Sequence, residues 1–316
     1  MAISTLDAKE RFQGVVVPLA TIFNDDLSLD AQGSADNAKW IVDRGGKQGN
    51  LVFLIAGSGG DFSSLSKEER KDTITVVSKI GRDNNIPMMA GVQSTDIRDT
   101  IELCKHAEDN GVEIAQISGA YYYTVQAEDT VAWHEEVARH TGIGFSAYNH
   151  HYSGSKYDVP VEVIDRLLEI PNTNAVKWGS PNMESYINGL VKWIPGHAVV
   201  NNGALTLYAA MLGCRAWISH VPNFFPEFCF RTHELMVQER WDELHEFFNG
   251  FMNPYNKVRG SIGSQTAGEG IFVKAAMEGI GRRGGPSRLP SRDSVVTTKM
   301  QEDFKKLVLE HTAVSG

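Results

Sequence analysis

The sequence predicts an α/β fold, a (β/α)8 TIM barrel with a C-terminal helical extension, and three observations predict it. Short apolar runs rich in β-branched residues recur eight times, helical patterns lie between them, and after Pro222 the strand-like runs stop while amphipathic helix continues. The chain has 316 residues, 42% hydrophobic and 22% charged, which is enough to bury a large core and unlike a disordered or collagen-like composition.

In order, the candidate strands are 14–23, 51–56, 87–92, 113–118, 144–148, 174–177, 198–201 and 216–220. SKEERKDTITVVSKI follows the second; DIRDTIELCKHAEDNG follows the third, opening on Asp96 as an N-cap and closing at Gly111. Strand then helix, repeated, builds a parallel sheet, and eight such units favour a closed barrel over an open doubly wound sheet. Beyond Pro222 come EFCFRTHELMVQ, RWDELHEFFNGFMNPYN, IFVKAAMEGIG and a last helical segment ending near His311, with RRGGPSRLPSRD as a loop before it. The chain is therefore read as a barrel core, 1–225, followed by the last barrel helix and the extension, 226–316.

Lys plus Arg number 30 against 39 Asp plus Glu, a net charge of −9 without a basic block, so nucleic acid is not an expected partner. The start MAISTLDAKERFQG lacks the pattern of a secretory leader, and no apolar run approaches the ~18 residues of a membrane span. A cytoplasmic protein without membrane partners is expected. Cys104, Cys214 and Cys229 form no CxxC pair and read as buried thiols, with neither a disulfide framework nor a thiolate zinc site.

In an α/β barrel the active site lies at the C-terminal ends of the strands, which selects the residues that close each apolar run. Lys177 ends the sixth run, with Val176 before it and Trp178 after it. Partial burial there would lower its pKa and make a neutral amine able to attack a ketone; a lysine paired with a carboxylate is the plainer alternative. Lys274, in IFVKAAME, is the rival amine, but its helical setting suggests a solvated or snorkelling role. Tyr148 ends the run before Lys177 and is placed to pass protons, or else to pack in the core.

Gly57-Ser58-Gly59-Gly60 closes the second run with bare backbone N–H groups that suit a carboxylate, although an ordinary turn would look the same. It is not GxGxxG, since Phe62 stands where the third glycine belongs, and GxxxxGK[ST] does not occur, so neither a dinucleotide nor a nucleoside triphosphate is indicated. His134-Glu135 lacks the second histidine of a zincin helix and reads as a solvated face. His150-His151 follows Tyr148 directly; a polar loop or a substrate contact is favoured over a metal pair because no matching carboxylate lies nearby in sequence.

Taken together, Gly57-Ser58-Gly59-Gly60-Asp61, Ala120-Tyr121-Tyr122, Tyr148-Asn149 and Val176-Lys177 resemble the dihydrodipicolinate synthase and N-acetylneuraminate lyase family of class I aldolases, over nearly the whole chain. The resemblance implies that Lys177 forms a Schiff base with a 2-oxo acid and that Tyr148 relays protons. It further implies that Ser58 and Gly59 bind the carboxylate, that the Ile218 backbone lines the site, and that Tyr122 reaches across a dimer interface. Homotetramers built as pairs of dimers and the absence of any metal or organic cofactor are also implied.

The chain departs from the family pattern in two places. Where the family loop usually reads G-[ST]-T-G-E, Gly59 replaces the threonine and Asp61 the glutamate. The synthases' YNxPxRTG arginine is missing from Tyr148-Asn149-His150-His151-Tyr152-Ser153-Gly154, which argues against lysine biosynthesis because a second substrate carboxylate would lose its bidentate partner.

Asn223-Phe224-Phe225-Pro226, Val273-Lys274-Ala275-Ala276-Met277 and Gly285-Pro286-Ser287-Arg288 resemble most the 5-dehydro-4-deoxyglucarate dehydratase-like branch. A lyase acting on a 2-oxo-3-deoxy sugar acid, as dehydratase or aldolase, is thus expected, with His150, His151 and Ser219 as candidates for contacting sugar hydroxyls. A synthase-like condensation of pyruvate with an aldehyde, or a weakened barrel that only binds 2-oxo acids, is the alternative.

Overall fold

A computed structural model describes residues 3–119, 122–152, 156–203 and 205–312. Helix α1 (Thr5–Arg11) comes first. Eight strands then alternate with seven helices: β1 (Gly14–Pro18), α2 (Ala31–Asp43), β2 (Leu51–Ile55), α3 (Lys67–Asp83), β3 (Met88–Gly91), α4 (Ile97–Asp109), β4 (Ile114–Ile117) and α5 (Ala127–His140) make the first half. The second half is β5 (Gly144–Tyr148), α6 (Val161–Leu168), β6 (Thr173–Trp178), α7 (Met183–Trp193), β7 (Ala198–Asn201), α8 (Thr206–Met211) and β8 (Ala216–Ile218). All neighbours pair in parallel in sequence order, and β8 returns to β1 with Val15 opposite Trp217, so the sheet closes. The predicted (β/α)8 barrel is the fold observed.

Alternation along the strands sorts the core into layers. Val16, Leu54, Met89, Ile114, Ala175 and Val200 fill the barrel interior, where Ala8 of α1 and Phe12 join them. Outside, Val176 and Trp178 pack on α7 through Leu190 and Trp193, the two indoles meeting edge to face at 4.8 Å. The plug α1 is absent from the sequence reading because 7 residues are too few to show helical periodicity; Ser4 starts it by accepting the Asp7 N–H.

Register changes once in a way that matters for the site. Phe145 pairs with Thr173 but Ser146 pairs with Ala175, so Asn174 is an extra residue in β6, and Tyr148 stands beside Lys177.

After β8 come α9 (Pro226–Val237), α10 (Trp241–Gly263), α11 (Gly270–Gly279) and α12 (Thr298–Thr312). Helix α10 outruns the amphipathic segment expected, continuing past Pro254, with Ile262 buried in the shared core near its end. The three cysteines are unbridged and buried, as read from their spacing, and burial pushes the Cys214 thiol up to about 11. No helix among the described residues is long and apolar enough to cross a membrane.

Two sequence readings need correction. His134 does not face solvent: it is buried under α5 and its Nδ1 lies 2.8 Å from the Thr130 carbonyl oxygen, while burial lowers its pKa. Lys274 neither snorkels nor meets water. Helix α11 is buried from Gly270 to Met277, so it has no solvated face there, and the Lys274 ammonium, 3% exposed, lies 3.0 Å from Asp61. It also donates to the Pro286 carbonyl at 3.1 Å and sits 4.3 Å from the centre of the Phe23 ring.

Removing one partner of a buried pair strands the other charge, which typically costs about 3–5 kcal/mol, whereas replacing both is far milder. Lys274→Met is therefore expected to lower the urea midpoint by the equivalent of about 3–5 kcal/mol, and the double variant with Asp61→Asn to recover more than half of that loss in the same unfolding measurement.

Candidate active site

The C-terminal mouth of the barrel holds a cavity of about 490 Å³. Its floor includes Pro18, Leu54, Ser58 and Lys177, its wall Asn201, Asn202, Ile218, Ser219 and His220. One face of α10 roofs it, presenting Asn249, Met252, Asn253, Asn256 and Arg259 at helical spacing, with Glu269 at the start of α11. Such a lining is polar and rich in amides, suited to a small hydroxylated ligand.

Lys177 reaches the cavity because β6 points it the same way as Ala175, inward and upward. It is 4% exposed, and its ammonium sits 4.0 Å from the centre of the Tyr148 ring. Burial pulls its pKa down to about 7, against the raising effect of the Glu269 charge. No carboxylate among the described residues pairs with it directly, so it is not the structural, salt-bridged lysine of the alternative reading.

Tyr148 is buried below, with its hydroxyl hydrogen-bonded to that of Tyr152. Burial, then the neighbouring Tyr152, raises the Tyr148 pKa well above the ordinary phenol value, and burial raises Tyr152 too. Both hydroxyls therefore stay protonated and can pass a proton along the pair. His150 stacks on the Tyr148 ring at 4.9 Å, and burial together with the Lys177 charge drives its pKa down to about 4.

The loop after β2 turns through Ser58–Gly60 and reaches Asp61 at φ 54°. Gly59 is needed for space: a Cβ there would lie 2.5 Å from the His220 ring. His220 in turn lies 3.3 Å from Glu269. Burial pushes Glu269 upward, but its contact with His220 and the charges of His220, Lys177 and Arg259 outweigh this and hold it at about 2.

Of the residues singled out in the sequence, Ser58, Lys177, Ile218 and Ser219 share the cavity lining. Gly59 lies beside it, and Tyr148 and His150 lie under it through ring contacts. Tyr122 stands apart, 77% exposed. Tyr121 falls outside the described residues. Arg259 and Glu269 were missed, since α10 and the start of α11 lie outside any rule about strand ends; Tyr152, four residues after Tyr148, and His220, which closes the eighth run, were missed although within its reach. Among the described residues no cluster of three His, Cys, Asp or Glu side chains suits a metal ion.

The chain is 28% identical over 309 residues to a 4-hydroxy-tetrahydrodipicolinate synthase of Archaeoglobus fulgidus, covering 94% of this chain and 99% of that one. Over 138 residues, 44% of either chain, it is 33% identical to an Escherichia coli protein provisionally named 2-dehydro-3-deoxy-D-gluconate aldolase YagE. The solved structure of YagE with pyruvate superposes with a TM-score of 0.83 at 21% identity, covering 95% of this chain and 99% of that one. The profile of the dihydrodipicolinate synthetase family matches residues 11–311, and the chain belongs to that family, as a lyase of the Schiff-base, class I aldolase type.

Proposed function

We propose that the protein is a lyase for a 2-oxo-3-deoxy sugar acid, working as a dehydratase or an aldolase. The observation that carries this is Lys177: an amine held near neutrality by burial, at the floor of a polar cavity. Its nitrogen would attack the ketone at C2 and expel the oxygen as water, leaving a protonated imine that draws electrons from C3. Tyr148, bonded to Tyr152, would move the proton. The substrate carboxylate would lie on the backbone N–H groups of Ser58 and Gly59 with the Ile218 backbone alongside, and Ser219 and His150 would serve the hydroxyl-bearing end.

The amide-rich roof favours a hydroxylated substrate over a bare 2-oxo acid. Arg259, without an ion-pair partner among the described residues, gives the cavity a fixed cation. A diacid of the 5-dehydro-4-deoxyglucarate kind would place its far carboxylate there, which supports the dehydratase-like branch. No cofactor enters this scheme. The exposed Tyr122 fits a second copy of the chain packing against this face, in a dimer or tetramer.

Borohydride reduction in the presence of pyruvate is expected to leave a stable adduct on the Lys177 peptide, read by mass spectrometry, and Lys177→Ala is expected to abolish it; an adduct on Lys274 instead would refute the assignment. The pH dependence follows from the same residue. Below about 7 the amine is protonated and cannot attack, so imine formation should rise about tenfold per pH unit toward 7 and level off above it. A flat profile between pH 5 and 8 would contradict this.

A further inference from the structure

Elimination among the titratable groups lining the cavity leaves one pair without a task. Lys177 is the nucleophile; Tyr152 and Tyr255 are kept protonated by burial; Arg259 is a permanent cation. His220 and Glu269 remain, 3.3 Å apart, from two elements that meet only in the folded chain: the end of the eighth strand segment and the residue before α11. The imidazole stands edge to face on Phe272 at 5.2 Å and occupies the space that a side chain at position 59 would fill. A ring so confined, with a carboxylate on one nitrogen, is the arrangement by which a histidine is oriented for proton transfer.

We propose that His220 is a further catalytic residue of this site, exchanging a proton with the substrate oxygen on C4, and that Glu269 is its positioning residue. The inference rests on the Schiff-base reading of Lys177. In a 3-deoxy acid bound through C2, C3 carries no oxygen, so O4 is the first polar atom beyond the imine carbon. For dehydration, C3 gives its proton to the Tyr148 hydroxyl oxygen as that hydroxyl passes its own proton through Tyr152 to solvent, leaving the enamine, whose electron pair then breaks the C4–O bond; the oxygen takes a proton from His220, which is reprotonated from solvent, and departs as water, and hydrolysis frees Lys177. For aldol cleavage, His220 accepts the O4 proton while the C3–C4 pair moves toward the imine nitrogen. Tyr148 and Tyr152, neutral and bonded to each other, are occupied with the C3 proton, which leaves His220 for O4.

The test compares wild type, His220→Gln, Glu269→Gln and Glu269→Asp at pH 8, where the Lys177 amine is free in each. Two readouts are taken: pyruvate trapping with exchange of its methyl protons in D2O, and turnover of 5-dehydro-4-deoxyglucarate and 2-dehydro-3-deoxy-D-gluconate. Both Gln variants should trap and exchange within about threefold of wild type while kcat on the sugar acid falls about 100-fold or more; Glu269→Asp should recover at least about tenfold. Trapping and turnover both unchanged in His220→Gln would overturn the inference alone, and so would a parallel loss of both, which marks a structural role. Absence of trapping in wild type overturns the Schiff-base reading, and wild-type turnover of neither acid overturns the substrate and this inference with it.

Discussion

Keeping an amine out of water governs the architecture of the barrel mouth. An ammonium ion buried without a directly paired carboxylate gives up its proton more easily, and Lys177 is placed in that position, against the face of a tyrosine ring. The surroundings are compatible with it only because other charges are handled elsewhere. Asp61 and Lys274 neutralise each other beneath the loop after β2, and Glu269 is turned toward His220. Had either carboxylate faced Lys177 directly, the amine would remain protonated and unreactive.

The strand ends make the floor, and the extension makes the roof. Helix α10 brings amides and a guanidinium over the opening, while α11 contributes Glu269 at its beginning and Lys274 within the core. The same three-helix extension buries apolar surface against the barrel, with the rings of Phe228 on the last barrel helix and Phe251 on α10 4.2 Å apart, and supplies polar groups over the cavity.

The barrel was legible because strands buried on both faces are continuous apolar runs, and Lys177 stood out as a charge at the end of one. Tyr148 and the loop at Ser58 were found by the same rule. Roles that depend on distant segments were not legible. Glu269 lies 92 positions after Lys177 in a stretch, Gly268-Glu269-Gly270, with no local mark of chemistry, and Lys274 sits in a pattern that equally describes a surface helix. His134 was misread because its charged chain neighbours Glu135 and Glu136 were weighed instead of Thr130, Val131 and Val137, with which it shares the buried face of α5 at helical spacing.

The extra residue Asn174 has a consequence for inheritance by shuffling or deletion. In an uninterrupted strand, residues of like parity share a face, so Thr173, Ala175 and Lys177 would all point the same way. Thr173 is instead the partner of outward Phe145, whereas Ala175 lies within the barrel, and the inversion occurs across Asn174. Deleting Asn174 would set Thr173 next to Ala175 in plain alternation and leave Lys177 facing the lumen, whereas ironing out the bulge with Asn174 retained and Thr173 fixed would turn Lys177 toward the helices and Val176 into the lumen. Whether Lys177 reaches the cavity is thus a matter of odd and even numbering, set in the backbone three residues before it.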